Sequence, residues 1–201
     1  MTRAIGILAG AAMILLFATL MIVVMPTIQL QSSAQIPEGL EPYSDAALRG
    51  RALYVGLGCM YCHSQQPRDP SLAPDGLRGW GRPSVPGDYS YDSPHLLGTM
   101  RTGPDLMNIG ARQPSSDWHL AHLYNPRALS PGSTMPSYPF LFQRLETPEP
   151  ESVVVELPPA YAPASGAIVA TRDALDLVAY LLELDRTYPV RTLPQGEEAG
   201  P

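Results

Sequence analysis

The sequence predicts a mainly α-helical protein, in which one N-terminal apolar helix precedes a domain of short helices joined by long loops. Two observations lead to this fold class. Residues 4–25 form an uncharged run of 22 residues, and about 20 apolar residues are enough for a helix to span a bilayer. The 23 prolines among 201 residues, with few alternating apolar and polar stretches, favour short helices and extended connections over a sheet.

The apolar run fits a membrane anchor better than a cleavable signal peptide. Signal peptides have apolar regions of only about 7–15 residues, although Ser32-Ser33-Ala34 offers a small-residue cleavage site. We therefore expect an uncleaved, single-pass transmembrane anchor over residues 1–25. Arg3 is the only charged side chain before the run, and positive charge favours the cytoplasmic side. The anchor would then sit in the inner (cytoplasmic) membrane, with the rest of the chain on the periplasmic, extracytoplasmic side.

The charge balance excludes one class of partner. The net charge is −6, and all 13 basic residues are arginine. Nucleic-acid binders carry basic patches and a positive balance, so we expect no nucleic acid as a partner. Without lysine, the chain also lacks the lysine-rich docking ring that many diffusing electron carriers use for electrostatic steering.

Proline content and helix signals divide the remaining chain. Residues 26–43 are interpreted as a linker, residues 44–190 as one domain, residues 143–170 as a proline-rich and acidic insertion, and residues 191–201 as a disordered tail. The stretch 65–99 has no sustained period and is predicted to be a long ordered loop.

Two amphipathic helices should frame the domain. Ser44 is a candidate N-cap for a helix to about residue 57, and Thr171 is a candidate N-cap for a last helix to about residue 184. The two helices should pack across each other. Near-helical spacing predicts the following buried positions: Leu48, Ala52 and Val55 in the first helix, and Leu175, Val178, Ala179 and Leu182 in the second.

The most specific signal in the chain is Cys59-Met60-Tyr61-Cys62-His63. Two cysteines three positions apart, with histidine directly after the second, form the attachment signature of a c-type haem. Cys59 and Cys62 would each form a thioether to the porphyrin, and the tether would place His63 beneath the iron as its proximal ligand. The sequence thus predicts one covalently bound haem c. A helix that leads directly into this signature is typical of a small cytochrome c domain, so we expect a class I-like cytochrome c domain with long loops.

Two other uses of a Cys-x-x-Cys pair fit less well. A thioredoxin-like dithiol lies next to a βαβ pattern, which does not surround these cysteines. A structural zinc site needs four ligands, and the remaining histidines, His95, His119 and His122, are not spaced like zinc-finger ligands.

The stretch Arg101-Thr102-Gly103-Pro104-Asp105-Leu106 offers groups that support the haem. A haem-ligating histidine donates its second ring N–H to an outer acceptor, and the carbonyl of Pro104 is our candidate for that acceptor. Arg101 is a candidate partner of a haem propionate, since a guanidinium matches a carboxylate with two parallel donors. An ordinary turn without a role at the haem is the alternative for both residues.

A methionine is expected as the second axial ligand, because a thioether ligand suits electron transfer. Met100, Met107 and Met135 lie outside both the membrane run and the attachment signature. Met135 is our choice, since the flanking prolines of Pro131-Gly132-Ser133-Thr134-Met135-Pro136 would hold its sulfur rigidly. His63 and Met135 are thus the predicted iron ligands.

Three other polar positions are less informative. Arg127, just after Asn125-Pro126, is a second candidate for a propionate. His119 and His122 are three apart on a predicted short helix, where a surface metal site is one possibility and ordinary polar helix positions are the favoured interpretation. His95 receives no functional assignment.

Taken together, the motifs resemble those of the monohaem, membrane-anchored cytochrome c subunit (subunit II) of cbb-type, C-family haem–copper cytochrome c oxidases. They match in order over most of residues 26–142, after the N-terminal span. The matching pieces are Gly50-Arg51-Ala52-Leu53-Tyr54, Gly58-Cys59-Met60-Tyr61-Cys62-His63-Ser64-Gln65, Tyr91-Asp92-Ser93-Pro94, Arg101-Thr102-Gly103-Pro104-Asp105-Leu106, Trp118-His119, His122-Leu123-Tyr124-Asn125-Pro126-Arg127 and Met135-Pro136-Ser137-Tyr138-Pro139.

The resemblance implies a non-catalytic subunit that relays electrons from a donor cytochrome c to the oxygen-reducing subunit. Its implied partners are a multi-span haem-b/copper catalytic subunit and a second cytochrome c subunit or donor cytochrome c. Residues 143–170 depart from the pattern and leave the docking partners open. The alternatives are the small cytochrome c subunit of a nitric oxide reductase, a free-standing anchored electron carrier, and a haem-based sensor, although a sensor usually keeps an open coordination position.

Overall fold

The computed structural model describes residues 2–33, 35–98 and 100–190. Its α-helices are α1 (Thr2–Thr19), α2 (Met25–Ser33), α3 (Asp45–Gly56), α4 (Ile109–Arg112), α5 (Ser116–Tyr124), α6 (Pro126–Leu129) and α7 (Arg172–Leu182). Two strands, β1 (Phe142–Leu145) and β2 (Ala167–Ala170), form one antiparallel pair. A π-helical segment (Leu20–Val24) and three 3₁₀ turns, Cys59–Tyr61, Pro86–Tyr89 and Pro139–Leu141, complete the regular structure. The predicted mainly helical class is confirmed.

The N-terminal helix is the one described helix that is long and apolar enough to cross a membrane, over Arg3–Gln29. Its side chains are exposed rather than buried within the chain. These properties are compatible with a single-pass anchor, and a signal sequence near an N-terminus shares them. The side of the membrane on which the following domain lies stays a prediction.

The apolar helix continues past the predicted boundary at residue 25. Pro26 has no N–H to donate and its ring crowds the preceding turn, which makes it an expected stopping point. The structure instead places the π-helical segment Leu20–Val24 directly before this proline. The Thr27 hydroxyl donates to the Val23 carbonyl at 2.7 Å. The helix then runs through to Ser33, into the segment that the sequence suggested was a linker.

Helices α3 and α7 pack across each other, as predicted. Both N-caps are confirmed, because Ser44 accepts from the Ala47 amide at 3.1 Å and Thr171 accepts from the Ala174 amide at 3.4 Å. These caps satisfy amides that have no partner within the first helical turn. The helix pair forms the frame on which the 59–63 turn and the cavity described below are built.

The buried face of α3 differs from the predicted one. Leu48 is 49% exposed and Val55 is 38% exposed, and Ala52 is exposed too. The buried residues are instead Ala47, Gly50, Arg51 and Tyr54. The reason is the close approach of α7: a Cβ at Gly50 would overlap the backbone carbonyl of Asp176. The small residues set the helix crossing here, and a search for large apolar residues misses that face.

The buried face of α7 is also rotated from the prediction. Val178 is buried as expected, whereas Leu175, Ala179 and Leu182 are only half-buried. The most deeply buried side chains of this helix are Ala174, Leu177 and Tyr180. The Tyr180 ring packs against the rings of Tyr43 and Tyr54, at centroid distances of 5.6 and 5.4 Å.

The proline-rich stretch 143–170 carries structure that the sequence analysis did not predict. Strand β1 pairs with β2 from Phe142 opposite Ala170 to Leu145 opposite Ala167. Val155 and Ile168 are buried in the hydrophobic core, so the segment is fastened to the domain at its base. Strands of four residues are too short to show an alternating pattern. The residues 191–201, predicted to be a disordered tail, lie outside the described residues.

The predicted long loop is ordered by buried carboxylates over its described part, 65–98. Asp75 accepts from the Arg68 amide at 2.7 Å and pairs with the Arg101 guanidinium at 2.6 Å. Asp88 pairs with Arg82 at 2.7 Å. Buried charges that are paired and hydrogen-bonded hold a loop in one conformation. The loop is therefore ordered, although its described residues contain only one short helical segment, a 3₁₀ turn.

Candidate haem-binding cavity

A tight turn brings Cys59, Cys62 and His63 together directly after α3. Gly58 adopts the left-handed conformation with φ of 74°, which residues with a Cβ rarely adopt. The amides of Cys62 and His63 both donate to the Cys59 carbonyl, at 3.1 and 3.0 Å. The turn therefore places two thiols and one imidazole on a single turn of backbone, as the attachment signature requires.

The His63 ring is held by the stretch 103–104. Its Nδ1 lies 2.7 Å from the Pro104 carbonyl oxygen, so the predicted hydrogen bond is present, and Pro104 has no side-chain hydroxyl or charge to compete for it. The Gly103 amide donates to the Cys62 carbonyl at 3.0 Å, which fastens this stretch to the attachment turn. Burial lowers the pKa of His63. A neutral imidazole that donates through Nδ1 leaves the Nε2 lone pair for a metal ion.

The ring faces a cavity of about 560 Å³, within the size range of ligand and cofactor sites. The wall is mainly apolar and combines residues from α4, α5, α7 and the loop after α6. Its lining residues are His63, Pro104, Leu106, Ile109, Arg112, Gln113, Trp118, His119, His122, Leu123, Ser130, Ser133, Met135 and Leu181. An apolar cavity with an imidazole in its wall is suited to a large planar cofactor whose iron needs axial ligands.

Met135 lies on the wall of this cavity together with His63. Its amide donates to the Ser133 hydroxyl at 3.2 Å, which stabilises the loop that carries it. The two competing methionines do not line the cavity: Met100 is 58% exposed, and Met107 is fully buried in the core. Among the three candidates, the geometry therefore favours Met135 as the partner of His63.

The cysteines themselves fit a thioether site better than a thiolate metal site. Both are free, Cys59 half-buried and Cys62 exposed. Burial raises the pKa of the Cys59 thiol to about 11, so the free thiol is protonated at neutral pH. Within residues 2–33, 35–98 and 100–190, no group of three or more histidine, cysteine or acidic side chains could hold a metal ion.

The family model of the cytochrome c oxidase mono-haem subunit, FixO, matches residues 1–155 of the chain. The chain belongs to this family. Membership implies a mono-haem subunit of a cytochrome c oxidase complex. No curated protein matches the chain in sequence. The match includes the attachment turn, the Pro104 stretch and the Met135 loop, and it ends within the segment 143–170, so β2 and α7 lie beyond it.

In this FixO-family chain, the structure gives Arg101 partners other than a cofactor. Its guanidinium donates to Ser64 Oγ at 3.0 Å, to Asp75 Oδ1 at 2.6 Å and to the Gln66 carbonyl at 2.7 Å. It does not line the cavity. Arg101 thus ties the 65–98 loop to the attachment turn, and its propionate contact stays a prediction.

Arg127 lies on α6, close in sequence to Ser130 and Ser133 of the cavity wall. Its side chain is exposed and does not itself line the cavity. The propionate role of Arg127 thus stays a prediction.

The sequence analysis did not select Arg112, which the structure places in the cavity wall at the end of α4. Its Nη2 donates to the Asp105 carbonyl, and its Nε is buried without a hydrogen-bond partner. Burial lowers the pKa of this guanidinium. The sequence signal that could have selected Arg112 is its position shortly after Pro104, the residue predicted to contact His63.

The histidines of α5 are not surface positions. His119 is buried and its Nε2 lies 2.8 Å from the Gln113 carbonyl oxygen. His122 stacks on Trp118 at a centroid distance of 4.5 Å and an interplanar angle of 9°. Both line the cavity, so a surface metal site at this pair is wrong. His95, in contrast, is exposed and contacts the Tyr89 ring.

Three geometric features of the cavity fit a haem. His63 and Met135, the predicted axial pair, share one cavity. Gly103 leaves space for the His63 ring, since a Cβ there would lie 2.8 Å from its Nδ1. The cavity wall also holds two buried nitrogens without protein partners, on Arg112 and His122. An apolar cavity with unpaired donors suits an occupant that is mostly apolar and has polar ends.

Proposed function

We propose that this chain relays electrons within a cbb-type terminal oxidase, through one covalently bound haem c. Cys59 and Cys62 supply the thioether links, and His63 and Met135 are the axial ligands. The domain is proposed to be of the class I cytochrome c type, held at the periplasmic surface of the inner membrane by the N-terminal helix. The observation that carries the proposal is the shared cavity of His63 and Met135 beside the attachment turn, in a member of the FixO family.

The haem supplies reversible one-electron exchange at its iron. The chain's own residues position it and set its properties. Pro104 fixes the His63 ring and its tautomer through the 2.7 Å contact to Nδ1. Leu106, Ile109 and Leu181 line the cavity with apolar side chains. Apolar surroundings and a thioether ligand both raise the reduction potential of an iron site, which favours electron acceptance from a donor cytochrome.

The proposed donor is a cytochrome c, either a second subunit or a separate protein, and the proposed acceptor is a multi-span haem-b/copper catalytic subunit. A membrane-anchored subunit replaces diffusional encounter with a high effective concentration. The exposed Glu149 and Glu151 of the 143–170 segment offer a surface for a permanent contact with such a partner. The chain thus acts as a non-catalytic subunit of an oxygen-consuming complex.

Covalent attachment has a direct test. The full-length chain, expressed with haem-attachment machinery, should keep its haem through denaturing electrophoresis and give a peroxidase-active band. Replacing both Cys59 and Cys62 with alanine should abolish the band, because no thioether can then form. A wild-type chain without that band would remove the central element of the proposal.

The relay role is tested on native membranes. Extraction in mild detergent should yield the chain in a stable complex with a multi-span haem-b subunit and at least one other cytochrome c. The complex should consume oxygen when supplied with a reduced donor cytochrome, and cyanide should stop it. Isolation of the chain alone would contradict the subunit role. A complex that reduces nitric oxide but not oxygen would favour the nitric oxide reductase alternative.

A further inference from the structure

The segment between the N-terminal helix and α3 is packed on the domain, although the sequence predicted a linker there. Residues 35–43 lie outside any helix or strand, yet Leu40 is only 6% exposed and Tyr43 only 9%. The Leu40 amide donates to the Pro37 carbonyl at 3.1 Å, which closes a turn. A flexible linker behaves as a solvated coil, so these buried side chains indicate a segment that is held in place. Residues 35–43 are called the docked segment below.

One side of the docked segment contacts Gly87, which lies in the 3₁₀ turn Pro86–Tyr89. A Cβ at Gly87 would overlap the Gln35 carbonyl oxygen and lie 2.9 Å from the Pro37 ring. Gly87 does not have a positive φ, so its backbone conformation is open to other residues. The missing side chain is therefore what allows the docked segment to approach the turn so closely.

The other side of the docked segment contacts the chain that follows α7. A Cβ at Gly39 would lie 3.1 Å from the Cβ of Tyr188, and the Tyr188 hydroxyl donates to Asp88 Oδ1 at 2.9 Å. The Tyr43 hydroxyl accepts from Arg186 Nη2 at 2.8 Å. Arg186 Nε in turn donates to the Asp88 carbonyl at 3.1 Å. The 3₁₀ turn and the chain after α7 are thus joined to each other, and the docked segment lies against both.

Both ends of the docked segment are fixed. After it, the Ser44 amide and hydroxyl donate to the Glu183 carboxylate at 3.0 and 2.6 Å. Before it, one residue separates Gln35 from Ser33, the last residue of α2. Consecutive Cα atoms are about 3.8 Å apart, so the helix ends within about 8 Å of the docked segment. The chain between the helix and the domain is therefore too short to act as a flexible tether.

The helix itself continues towards the docked segment without an obvious point of bending. Helix α2 runs from Met25 to Ser33, which is roughly 12 Å beyond the end of the uncharged run at residue 25. Its sequence after Pro26 contains neither proline nor glycine, the residues at which helices most often kink. The extension and the docked segment thus form one continuous connection from the apolar run to the domain.

We propose that the docked segment is a rigid mount, which holds the haem domain in one position relative to the end of the N-terminal helix for the electron relay. This inference rests on the proposed function. Gly87 and Tyr188 are positioning residues in it, since neither lines the cavity. The effective concentration of two linked groups depends on the length and stiffness of their connection. A stiff mount that matches the distance to the acceptor keeps the haem in a productive geometry for more of the time than a flexible tether does.

The docking is tested on the full-length, haem-loaded chain in detergent. The variants are Gly87→Ala and Tyr188→Ala, one on each side of the docked segment, with Tyr188→Phe as the conservative variant. Gly76→Ala is the matched control, because Gly76 lies in the same loop as Gly87 and a Cβ there meets nothing within 4 Å. The measurement is the rate at which a glutamate-specific protease cuts after Glu38, relative to the cut after the exposed Glu151.

We expect wild type and Gly76→Ala to be cut slowly after Glu38, although this side chain is exposed, because cleavage requires the segment to leave the domain. Gly87→Ala and Tyr188→Ala should be cut roughly tenfold faster or more, since the first adds a methyl without space and the second removes a packed ring. Tyr188→Phe should be cut more slowly than Tyr188→Ala, because it keeps the ring. The midpoint potential should stay at the wild-type value in every variant, since none of the changed residues lines the cavity.

The role in the relay is tested in the detergent-extracted oxidase complex, with a second kind of variant. Insertion of four alternating glycine and serine residues between Ala34 and Gln35 gives the helix a flexible connection and leaves every residue of the domain unchanged. Oxygen consumption with a reduced donor cytochrome should fall severalfold in this variant and in Gly87→Ala, and stay at the wild-type level in Gly76→Ala. The insertion variant should keep the wild-type midpoint potential and the slow cut after Glu38.

The outcomes separate this inference from the proposed function. Equal rates of the cut after Glu38 in wild type, Gly87→Ala and Tyr188→Ala would overturn the docking. Wild-type oxygen consumption by the insertion variant would overturn the role in the relay, and this variant decides the matter if Gly87→Ala does not fold. A changed midpoint potential in Gly87→Ala would mean that its loss of activity passes through the haem, which would equally overturn the inference. A wild-type complex that does not consume oxygen would refute the proposed function and the relay role with it, while the cleavage rates would still decide the docking.

Discussion

Replacing Gly103 with alanine should displace the ring of His63, the proposed proximal ligand, while every proposed ligand residue stays unchanged. A Cβ at this position would lie 2.8 Å from His63 Nδ1 and 2.9 Å from Nε2. Both separations are shorter than real Cβ contacts, and ordinary van der Waals contact begins at 3.4 Å. Gly103 does not have a positive φ, so alanine meets no backbone penalty there. The effect of the variant should therefore come entirely from the contact with the ring.

The size of the effect follows from these distances. The ring atom nearest to the new methyl is Cε1, which is closer than either nitrogen, so the ring and the methyl must separate by about 1 Å to reach ordinary contact. If the ring moves away from Pro104, a displacement of that size stretches the 2.7 Å contact between His63 Nδ1 and the Pro104 carbonyl past the limit of a hydrogen bond. Overpacking costs about 1–3 kcal/mol, and a lost hydrogen bond costs about 0.5–1.5 kcal/mol. We expect the variant to be less stable by roughly 2–4 kcal/mol, which lowers Tm by roughly 5–15 °C.

The assay is thermal unfolding of the haem-loaded chain in detergent, followed by the Soret absorbance, with the midpoint potential measured alongside. Gly132→Ala is the matched control: Gly132 lies in the Met135 loop, and a Cβ there meets nothing within 4 Å. The control should unfold at the wild-type temperature. If Gly103→Ala also unfolded at that temperature and kept the wild-type potential, the packing of Gly103 against His63 would be refuted.

Three further predictions concern the second ligand and the helix pair. Met135→Ala should lower the midpoint potential and remove the sulfur-to-iron charge-transfer absorption, because a thioether ligand raises the potential, whereas Met100→Ala should preserve both. Gly50→Ala should destabilise the fold by about 3 kcal/mol or more in thermal unfolding, since the methyl would overlap the Asp176 backbone carbonyl. The Arg49 guanidinium holds the pKa of Asp176 below its usual range, so the stability that Arg49→Gln removes should be present at pH 7 and vanish as the pH falls below about 4.

Gly50→Ala and Arg49→Gln each have a matched control. Gly56→Ala adds its methyl to open space near the end of α3, and we expect wild-type stability. Arg172→Gln removes the weaker contact to Asp176, 3.3 Å against 2.6 Å for Arg49, so its pH-dependent loss should be the smaller of the two. An equal loss in Gly56→Ala and Gly50→Ala would contradict the close helix crossing. A difference between wild type and Arg49→Gln that persists unchanged at pH 3 would contradict the ion pair.

The sequence was sufficient for the parts of the site that depend on local chemistry. The spacing of Cys59, Cys62 and His63 predicted a haem-attachment site, and the structure brings the three residues together in one tight turn. The Pro104 carbonyl was predicted as the partner of His63 from the need of a ligating imidazole for an acceptor, and the contact is present. Helix caps at Ser44 and Thr171 were equally local and were confirmed.

The buried face of α3 could not be predicted in the same way. The apolar spacing of Leu48, Ala52 and Val55 is a property of one helix, whereas burial is decided by the distance to its neighbour. Gly50 lets α7 approach so closely that the contact face consists of Ala47, Gly50 and Tyr54, and the larger aliphatic residues turn outwards. Their exposed side chains are then available to whatever subunit packs against this domain.

The partners of Arg101 and Arg112 could not be predicted from the sequence alone. Arg101 lies in the most recognisable motif after the attachment turn, which made it the natural propionate candidate. Asp75, however, is far away in sequence and fully buried, and it requires a cation for its own stability. Arg101 satisfies that need, and this leaves Arg112 as the guanidinium that borders the cavity with an unused donor. Which arginine is free to bind a cofactor is thus decided by where the buried carboxylates lie, and only the folded chain brings each carboxylate to its partner.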